Sequence, residues 1–428
     1  MSSSFNSSAG LNSLEMEITD HISEIERRIN ERENLIQACL SEPERFSRIK
    51  REWQDLSTRY STENTKPRLY GKVFGVKDIF HVEGFETRAG SRLPAGALTG
   101  AEAVSVRKLK EAGALLLGKT VTTEFAYFAP GPTRNPHNPE HTPGGSSSGS
   151  AAAVAAGFCD LALGTQTIGS IIRPAAFCGV IGFKPSYGRS SAEGVIPLSP
   201  SLDHVGFFST DISLAAQCAE VLLSDWNFPK IDRIPILGIP TGPYLASASP
   251  EGLVHFENMK ELLTKSGYEL HLVPVMDDYA AIRRQNDMVL SAEAAHVHAA
   301  WFGKYEKLYA QKTAELIRRG GKITENDLQN ARQSCAQLKT NLREAMEKNG
   351  IDLWIAPSAP GAAPRGLEST GDPIMNLPWT QAGLPVLNLP AGTNSTGLPL
   401  GLQLIGKWSE DEALLYWAES IAKVVAQG

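Results

Sequence analysis

The sequence predicts an α/β fold, and three observations carry that expectation. Between Tyr70 and about Asp232, short apolar runs broken by glycine, such as Ala114-Leu-Leu-Leu-Gly and Cys159-Asp-Leu-Ala-Leu-Gly, read as buried strands between helices. Ile236-Leu-Gly-Ile-Pro reads as a later strand of the same sheet, and Glu251 to Ser266 has the charge and apolar spacing of a crossover helix. Ile351-Asp-Leu-Trp-Ile-Ala-Pro then resumes strand character after a mostly helical stretch over residues 278–349.

The elements before and between these runs follow the same logic. Residues 1 to about 10 read as a polar, disordered tip. After it Leu14, Ile18, Ile22, Ile25 and Ile29 recur at helical spacing among charged residues, which marks an amphipathic helix. That stripe either packs on its own domain or forms a dimer contact, and a homodimer is left open. We divide the chain into an N-terminal helical extension, residues 1–65, and one large domain, residues 66–428. The helical stretch breaks at Gly320-Gly321, where Thr324 and Asp327 are spaced like a weak capping box for the next helix. The Gly/Pro-rich segment from Pro357 to Pro373 reads as a flexible loop before the last strands.

Composition narrows the functional classes. At 428 residues and 42% hydrophobic the chain can bury a substantial core. The formal charge of −6, with no basic cluster interleaved with aromatics, argues against nucleic acid as a direct partner. Five widely spaced cysteines without a CxxC pair argue against a disulfide framework or zinc ribbon, and fit reduced thiols in the cytoplasm. No apolar run approaches the ~20 residues of a spanning helix, so no membrane partner is expected. His296 and His298 are spaced so that they do not share a helix face, and neither a metal nor a cofactor is expected.

The chemistry concentrates in three segments: Val73-Phe-Gly-Val-Lys77-Asp-Ile-Phe, the run Gly144-Gly-Ser146-Ser-Ser-Gly-Ser150, and Gly164-Thr-Gln-Thr-Ile-Gly-Ser170-Ile-Ile-Arg173-Pro-Ala-Ala-Phe-Cys-Gly. Ser170 lies 24 positions after Ser146, and small residues from Ala151 to Gly157 allow the serine-rich loop to run into a closely packed helix. The glycine run lacks the Lys-Ser/Thr ending of a phosphate-binding loop. Apolar Phe74, Val76, Ile79 and Phe80 surround Lys77 in sequence, as a desolvated lysine would require.

Together these segments resemble the amidase signature family, whose members hydrolyse amides with a Ser, cis-Ser, Lys triad. The likeness extends to Gly118-Lys-Thr-Val-Thr-Thr-Glu-Phe-Ala, Asn135-Pro, Gly182-Phe-Lys-Pro-Ser and the C-terminal Gly383-Leu-Pro, Leu389-Pro-Ala-Gly and Gly397-Leu-Pro-Leu-Gly-Leu-Gln-Leu-Ile-Gly, covering roughly residues 60–428. It implies a single domain with a mixed, twisted sheet flanked by helices. It also implies Ser170 as nucleophile, Ser146 as bridge with a cis bond from Gly145, and Lys77 as base. The backbone of Thr167, Ile168 and Gly169 would form the oxyanion hole. Phe125, Tyr127, Phe128 and Trp379 fall in segments that line the substrate pocket in relatives.

Departures from the family text shape the rest. Gln166, Ile168 and a displaced arginine at Arg173 stand where the family most often has Asp, Gly and an arginine one place earlier. The pattern resembles small malonamidase-like amidases, and implies that Arg173 holds a substrate carboxylate in a bidentate fork. Ile168 adds bulk beside the nucleophile and narrows the backbone choices of the loop. Asp203-His-Val also departs from the usual Gly-Pro after that Asp, which suggests altered loop packing. The expected function is hydrolysis of a linear amide, or of a related carbamate, urea-type compound or hydrazide, with the small-molecule amide as partner. The alternative is the glutaminase-like A subunit of a tRNA-dependent amidotransferase; the shorter chain and the Gln166 and Arg173 pattern favour the stand-alone enzyme. A silent binding protein would not need the triad.

Overall fold

A computed structural model describes residues 7–61 and 66–426. The expected polar tip lies outside them as far as residue 6, and the chain is helical from Ser7 to Ile36. Ten strands form one sheet: β1 Val73–Lys77, β2 Leu115–Thr120, β3 Leu161–Gln166, β4 Ile181–Lys184, β5 His204–Ser209, β6 Leu237–Thr241, β7 Leu270–Pro274, β8 Leu353–Pro357, β9 Val386–Thr393 and β10 Pro399–Ile405. Their order is β2-β1-β3-β5-β4-β9-β10-β8-β6-β7. The flanks are parallel, β1 pairing with β2 and β3, and β6 with β7 and β8. The middle is antiparallel, from β3 through β5, β4, β9 and β10 to β8. The sheet is therefore mixed, as the resemblance implied.

Period-2 alternation explains why the strands read as continuous apolar runs. Phe74, Leu116, Leu161, Leu163, Leu353 and Ile355 enter one core layer, whereas Val73, Leu115, Leu117, Ala162, Trp354 and Ala356 enter the other. Both faces are covered by helices, so both sets must be apolar. The strand pairing puts Lys77 at the carboxyl end of β1, beside β3.

The isoleucine stripe of the first helix packs on the chain's own core. Ile18, Ile22, Ile25 and Ile29 are buried in the layer that holds Val73, Leu115 and Phe158, while Leu14 is exposed. Each buried isoleucine contributes about 1.5–3 kcal/mol to that docking. A polar anchor fixes the register: Asp160 accepts the Val73 N–H at 2.8 Å and lies 3.0 Å from His21 Nε2.

The helical stretch resolves into helices Tyr279–Tyr305, Gln311–Gly320 and Glu325–Lys348, broken at the glycine pair as expected. Thr324 caps the last, its hydroxyl accepting the Asp327 N–H at 3.1 Å. Gly320 is needed where the first two of these helices cross, because a Cβ there would meet the Ser291 carbonyl oxygen at 1.8 Å. The segment from Ser358 to Asn376 is irregular but carries buried Thr370 into the interior. Among the described residues no helix is long and apolar enough to cross a membrane.

Candidate active site

Three elements converge at the carboxyl ends of β1 and β3. β1 ends in Lys77, the serine-rich loop leads into helix Ser148–Ala155, and β3 leads through residues 167–171 into helix Ile172–Cys178. Small side chains make the approach possible: Ala151, Ala152 and Ala153 are fully buried where helix Ser148–Ala155 lies on the sheet.

The serines in the run have separate tasks. Ser147 Oγ donates to the Thr165 carbonyl at 3.2 Å, and Ser150 Oγ donates to the Leu163 carbonyl at 2.9 Å, so both staple the loop to β3. Ser146 instead accepts a 2.7 Å hydrogen bond from Lys77 Nζ, which also donates to Thr165 Oγ1 at 2.8 Å. The Gly145–Ser146 peptide bond is cis.

Lys77 is fully buried, and burial pushes its pKa from the ordinary 10.5 down to about 7, with the Asp203 carboxylate pulling weakly the other way. Asp203 is engaged elsewhere, accepting from Thr167 Oγ1 at 2.6 Å and from the N–H groups of Leu198 and Ser199 at 2.8 and 3.0 Å. The contrast with Lys119 is informative. That lysine is also buried, and burial lowers its pKa too, but its ammonium sits 2.9 Å from the Asp78 carboxylate, which opposes the shift by direct contact. Lys77 has hydroxyl partners only, so nothing comparable holds its proton.

Ser170 and Ser146 line one cavity together with Thr167, Ile168, Gly169 and Arg173. Its volume of about 10 Å³ is roughly that of one water. Among the described residues no hydrogen bond joins the two serine hydroxyls, so the Lys77–Ser146 link is formed and the Ser146–Ser170 link is not. Catalytic hydrogen bonds are often long until substrate is bound.

The main-chain N–H groups of Thr167, Ile168 and Gly169 make no hydrogen bond among the described residues, nor does that of Ser170, so they are free to receive an oxyanion. Their loop is nonetheless fixed. Gln166 Oε1 accepts the N–H groups of Ile171 and Ile172 at 2.8 and 3.0 Å, and its Nε2 donates to Thr380 Oγ1 at 2.9 Å. Thr380 Oγ1 in turn donates to the Ile168 carbonyl at 2.6 Å. Gly169 lies so close to this support that a Cβ would meet Asn376 Oδ1 at 2.5 Å.

Arg173 is buried with only part of its guanidinium occupied. Nη2 donates to the Gly145 carbonyl at 2.6 Å and to Thr370 Oγ1 at 3.0 Å, whereas Nε and Nη1 have no partner. Burial pushes its pKa down to about 10, Asp372 opposing. No carboxylate lies within ion-pair distance of it among the described residues, so it is not the structural ion pair that a buried arginine usually forms.

The aromatic residues divide. Tyr127 and Phe128 line the cavity and also line two outer chambers of about 500 and 470 Å³. Phe125 and Trp379 do not line it, which corrects their expected place in the pocket wall. Phe125 is buried against His298, Trp301 and Tyr309, and Trp379 is buried with Nε1 donating to Tyr244 at 2.9 Å. Large aromatics with an available core neighbour bury there. Thr165, Thr370 and Thr380 were missed. Thr165 had a signal, a polar residue at the end of an apolar strand; Thr370 and Thr380 lie about 200 residues from the groups they hold, where local text carries no hint.

Residues 20–415 match the amidase family model. The chain belongs to the amidase family. It is thus an enzyme of carbon–nitrogen bond hydrolysis, and the matched segment begins within the stretch assigned to the N-terminal extension. The A subunit of a Glutamyl-tRNA(Gln) amidotransferase from Synechococcus sp. (strain WH7803) is 32% identical, over 82% of each chain. Among solved structures, one described as an amidase is 30% identical with a TM-score of 0.86, covering 96% of this chain and 99% of its own. A structure described as a vestigial protein complex that reveals the evolutionary origins of an s-triazine catabolic enzyme is 26% identical with a TM-score of 0.83, covering 96% of this chain and 95% of its own.

These relatives overturn the expected partners, a small-molecule amide with nucleic acid excluded. Family members this similar are named as subunits of an amidotransferase acting on a tRNA. The charge argument failed for a physical reason: a basic surface reports nucleic acid bound by the chain itself, and is silent about nucleic acid held by a neighbouring subunit.

Proposed function

We propose that this amidase cleaves a linear carboxamide through an acyl-enzyme on Ser170. Neutral Lys77 accepts the Ser146 proton while Ser146 accepts that of Ser170, whose oxygen attacks the amide carbon. The carbonyl oxygen takes up charge against the free N–H groups of Thr167, Ile168 and Gly169, and the relay returns its proton to the departing amine. Water then repeats the attack on the ester and releases the acid. The observation that supports this reading most directly is the hydrogen bond from a fully buried Lys77, whose Nζ bonds only to hydroxyls, to Ser146, which lines the cavity that Ser170 shares.

The setting of this chemistry has two readings. The names of the relatives favour the glutaminase-like A subunit of a tRNA-dependent amidotransferase, in which the ammonia released from glutamine passes to a partner's active site. The free-standing amidase is supported by the 30% identical amidase structure, which the chain covers almost end to end. One experiment separates them: ammonia release from glutamine and from simple primary amides, measured for the chain alone and with the remaining amidotransferase subunits, Glu-tRNA(Gln) and ATP. Glutamine turnover that rises at least tenfold with the full set supports the amidotransferase reading. Turnover of simple amides, indifferent to the additions, supports the free enzyme. Activity retained by Ser170→Ala in either setting rejects the acyl-enzyme.

A further inference from the structure

The larger outer chamber holds a polar group that nothing in the protein explains. Asn286, on the inner side of helix Tyr279–Tyr305, is 1% exposed, and its side chain makes no hydrogen bond among the described residues. A buried carboxamide without partners is destabilising, and native interiors rarely tolerate one without a reason. Whichever way its oxygen and nitrogen are assigned, it offers one donor and one acceptor side by side.

Its position supplies the reason. Asn286 lines the chamber of about 500 Å³, whose wall includes Tyr127, Phe128, Ile168, Leu290 and Pro373. The same five residues line the cavity of Ser146 and Ser170. Two of the five, Ile168 and Leu290, are absent from the other outer chamber, so a path from Ser170 past Ile168 leads to the chamber that holds Asn286. We propose that Asn286 is a specificity-determining residue that selects substrates bearing a second amide- or urea-like group, paired donor to acceptor with its carboxamide, beyond the scissile bond. The inference rests on the acyl-enzyme reading, and it concerns a group distinct from Arg173, which faces the inner cavity.

The remaining polar neighbours do not compete for that role. Asp287 is paired with Arg319 at 2.7 Å, Asp372 accepts the Ile374 N–H at 3.0 Å, and Arg283 and Arg284 are exposed at the chamber's outer side. They leave the buried Asn286 as the uncharged recognition element. A site built to hydrogen-bond a substrate group discriminates strongly against an analogue that lacks it, because its own polar atoms are then left unpaired.

The test compares a series of straight-chain diamides of increasing length with the matched monoamides, assaying ammonia release by wild type, Asn286→Leu and Asn286→Ala. At one chain length the wild type should prefer the diamide, and both variants should lose about 10- to 100-fold in kcat/KM for it, mainly through KM, with monoamides changed less than threefold. Equal losses on both series, or no loss on either, would overturn the proposal. If Asn286→Leu fails to fold, Asn286→Ala, and diamide affinity measured by calorimetry on Ser170→Ala, decide the same point. Ser170→Ala in the turnover assay keeps the two claims apart: retained activity refutes the acyl-enzyme, whereas Ser170-dependent activity indifferent to Asn286 refutes only the recognition role.

Discussion

Replacing Lys77 by methionine tests the centre of the mechanism on two independent axes. With a pKa near 7 in the fold, Lys77 is half neutral at pH 7 and only about one tenth neutral at pH 6, so wild-type kcat/KM should fall about tenfold per unit below pH 7. Loss of the base should cost about 10²- to 10⁴-fold in turnover and remove that acid limb. Stability should move the other way. Between pH 7 and 10.5 the unfolded lysine binds a proton that the folded one does not, so lysine burial makes stability rise with pH across that window. Below pH 7 both states are protonated and the full penalty of roughly 5 kcal/mol applies.

Methionine removes this penalty but strips the hydroxyls of Ser146 and Thr165 of a donor, at about 1–3 kcal/mol each. The two effects, about 5 kcal/mol gained against about 2–6 kcal/mol lost, leave Lys77→Met within a few kcal/mol of the parent at pH 7, and less stable than the parent at pH 10, where the lysine penalty has gone. Thermal melts at pH 6, 7 and 10, with pH–rate profiles on one amide, give both readouts. Lys184 provides the control, since burial also pushes its pKa to about 7, but it bonds to the carbonyls of Pro185 and Leu384 away from the serines. Lys184→Met should leave the acid limb in place. A flat wild-type profile, an active Lys77→Met, or a limb that disappears with Lys184 would refute the reasoning.

Other residues of the site yield sharper expectations than sequence alone allowed. Arg173→Ala should slow every substrate, because Arg173 supports the Gly145 carbonyl, and should slow carboxylate-bearing amides by a further ~10-fold or more, read from the ratio of kcat/KM values across acid and neutral pairs. Ile168→Ala should raise kcat/KM for branched acyl groups relative to acetamide by about tenfold, since the inner cavity is barely the size of a water; an unchanged ratio would place the restriction elsewhere. Gln166→Leu should destabilise by about 2–4 kcal/mol in urea titrations, leaving the N–H groups of Ile171 and Ile172 without an acceptor.

What the sequence revealed and what it hid follow from the range of the interactions. The short apolar strand runs, the isoleucine stripe from Ile18 to Ile29 and the Gly320-Gly321 break are local patterns, and each appears in the fold where the sequence placed it. Lys77, Ser146 and Ser170 lie in short distinctive segments and do meet at one place, though only the first two are hydrogen-bonded. The pocket wall was poorly legible because an aromatic side chain's direction depends on its neighbours: Phe125 found an aromatic cluster from helix Tyr279–Tyr305, and Trp379 found Tyr244. Asn286 gave no signal at all, being one polar residue in a long helix whose significance lies only in what fails to contact it.

Long-range clamps also explain why the resemblance extends into C-terminal text that contributes no catalytic group. Thr380 holds the Ile168 carbonyl, Asn376 packs against Gly169, and Thr370 shares Arg173 with the Gly145 carbonyl. Asn376 is itself tied to Ser358 and Gln403, at 2.8 and 3.2 Å, just beyond β8 and on β10. The N–H groups proposed to meet the oxyanion are therefore positioned from the far half of the sheet. Oxyanion donors are effective only if they need no reorganisation during the reaction, so catalysis requires that β8, β9 and β10 be assembled before the loop is competent. The proposed chemistry sits on residues 77–173, but a fragment ending there would lack every one of these clamps and could not hold the loop in register.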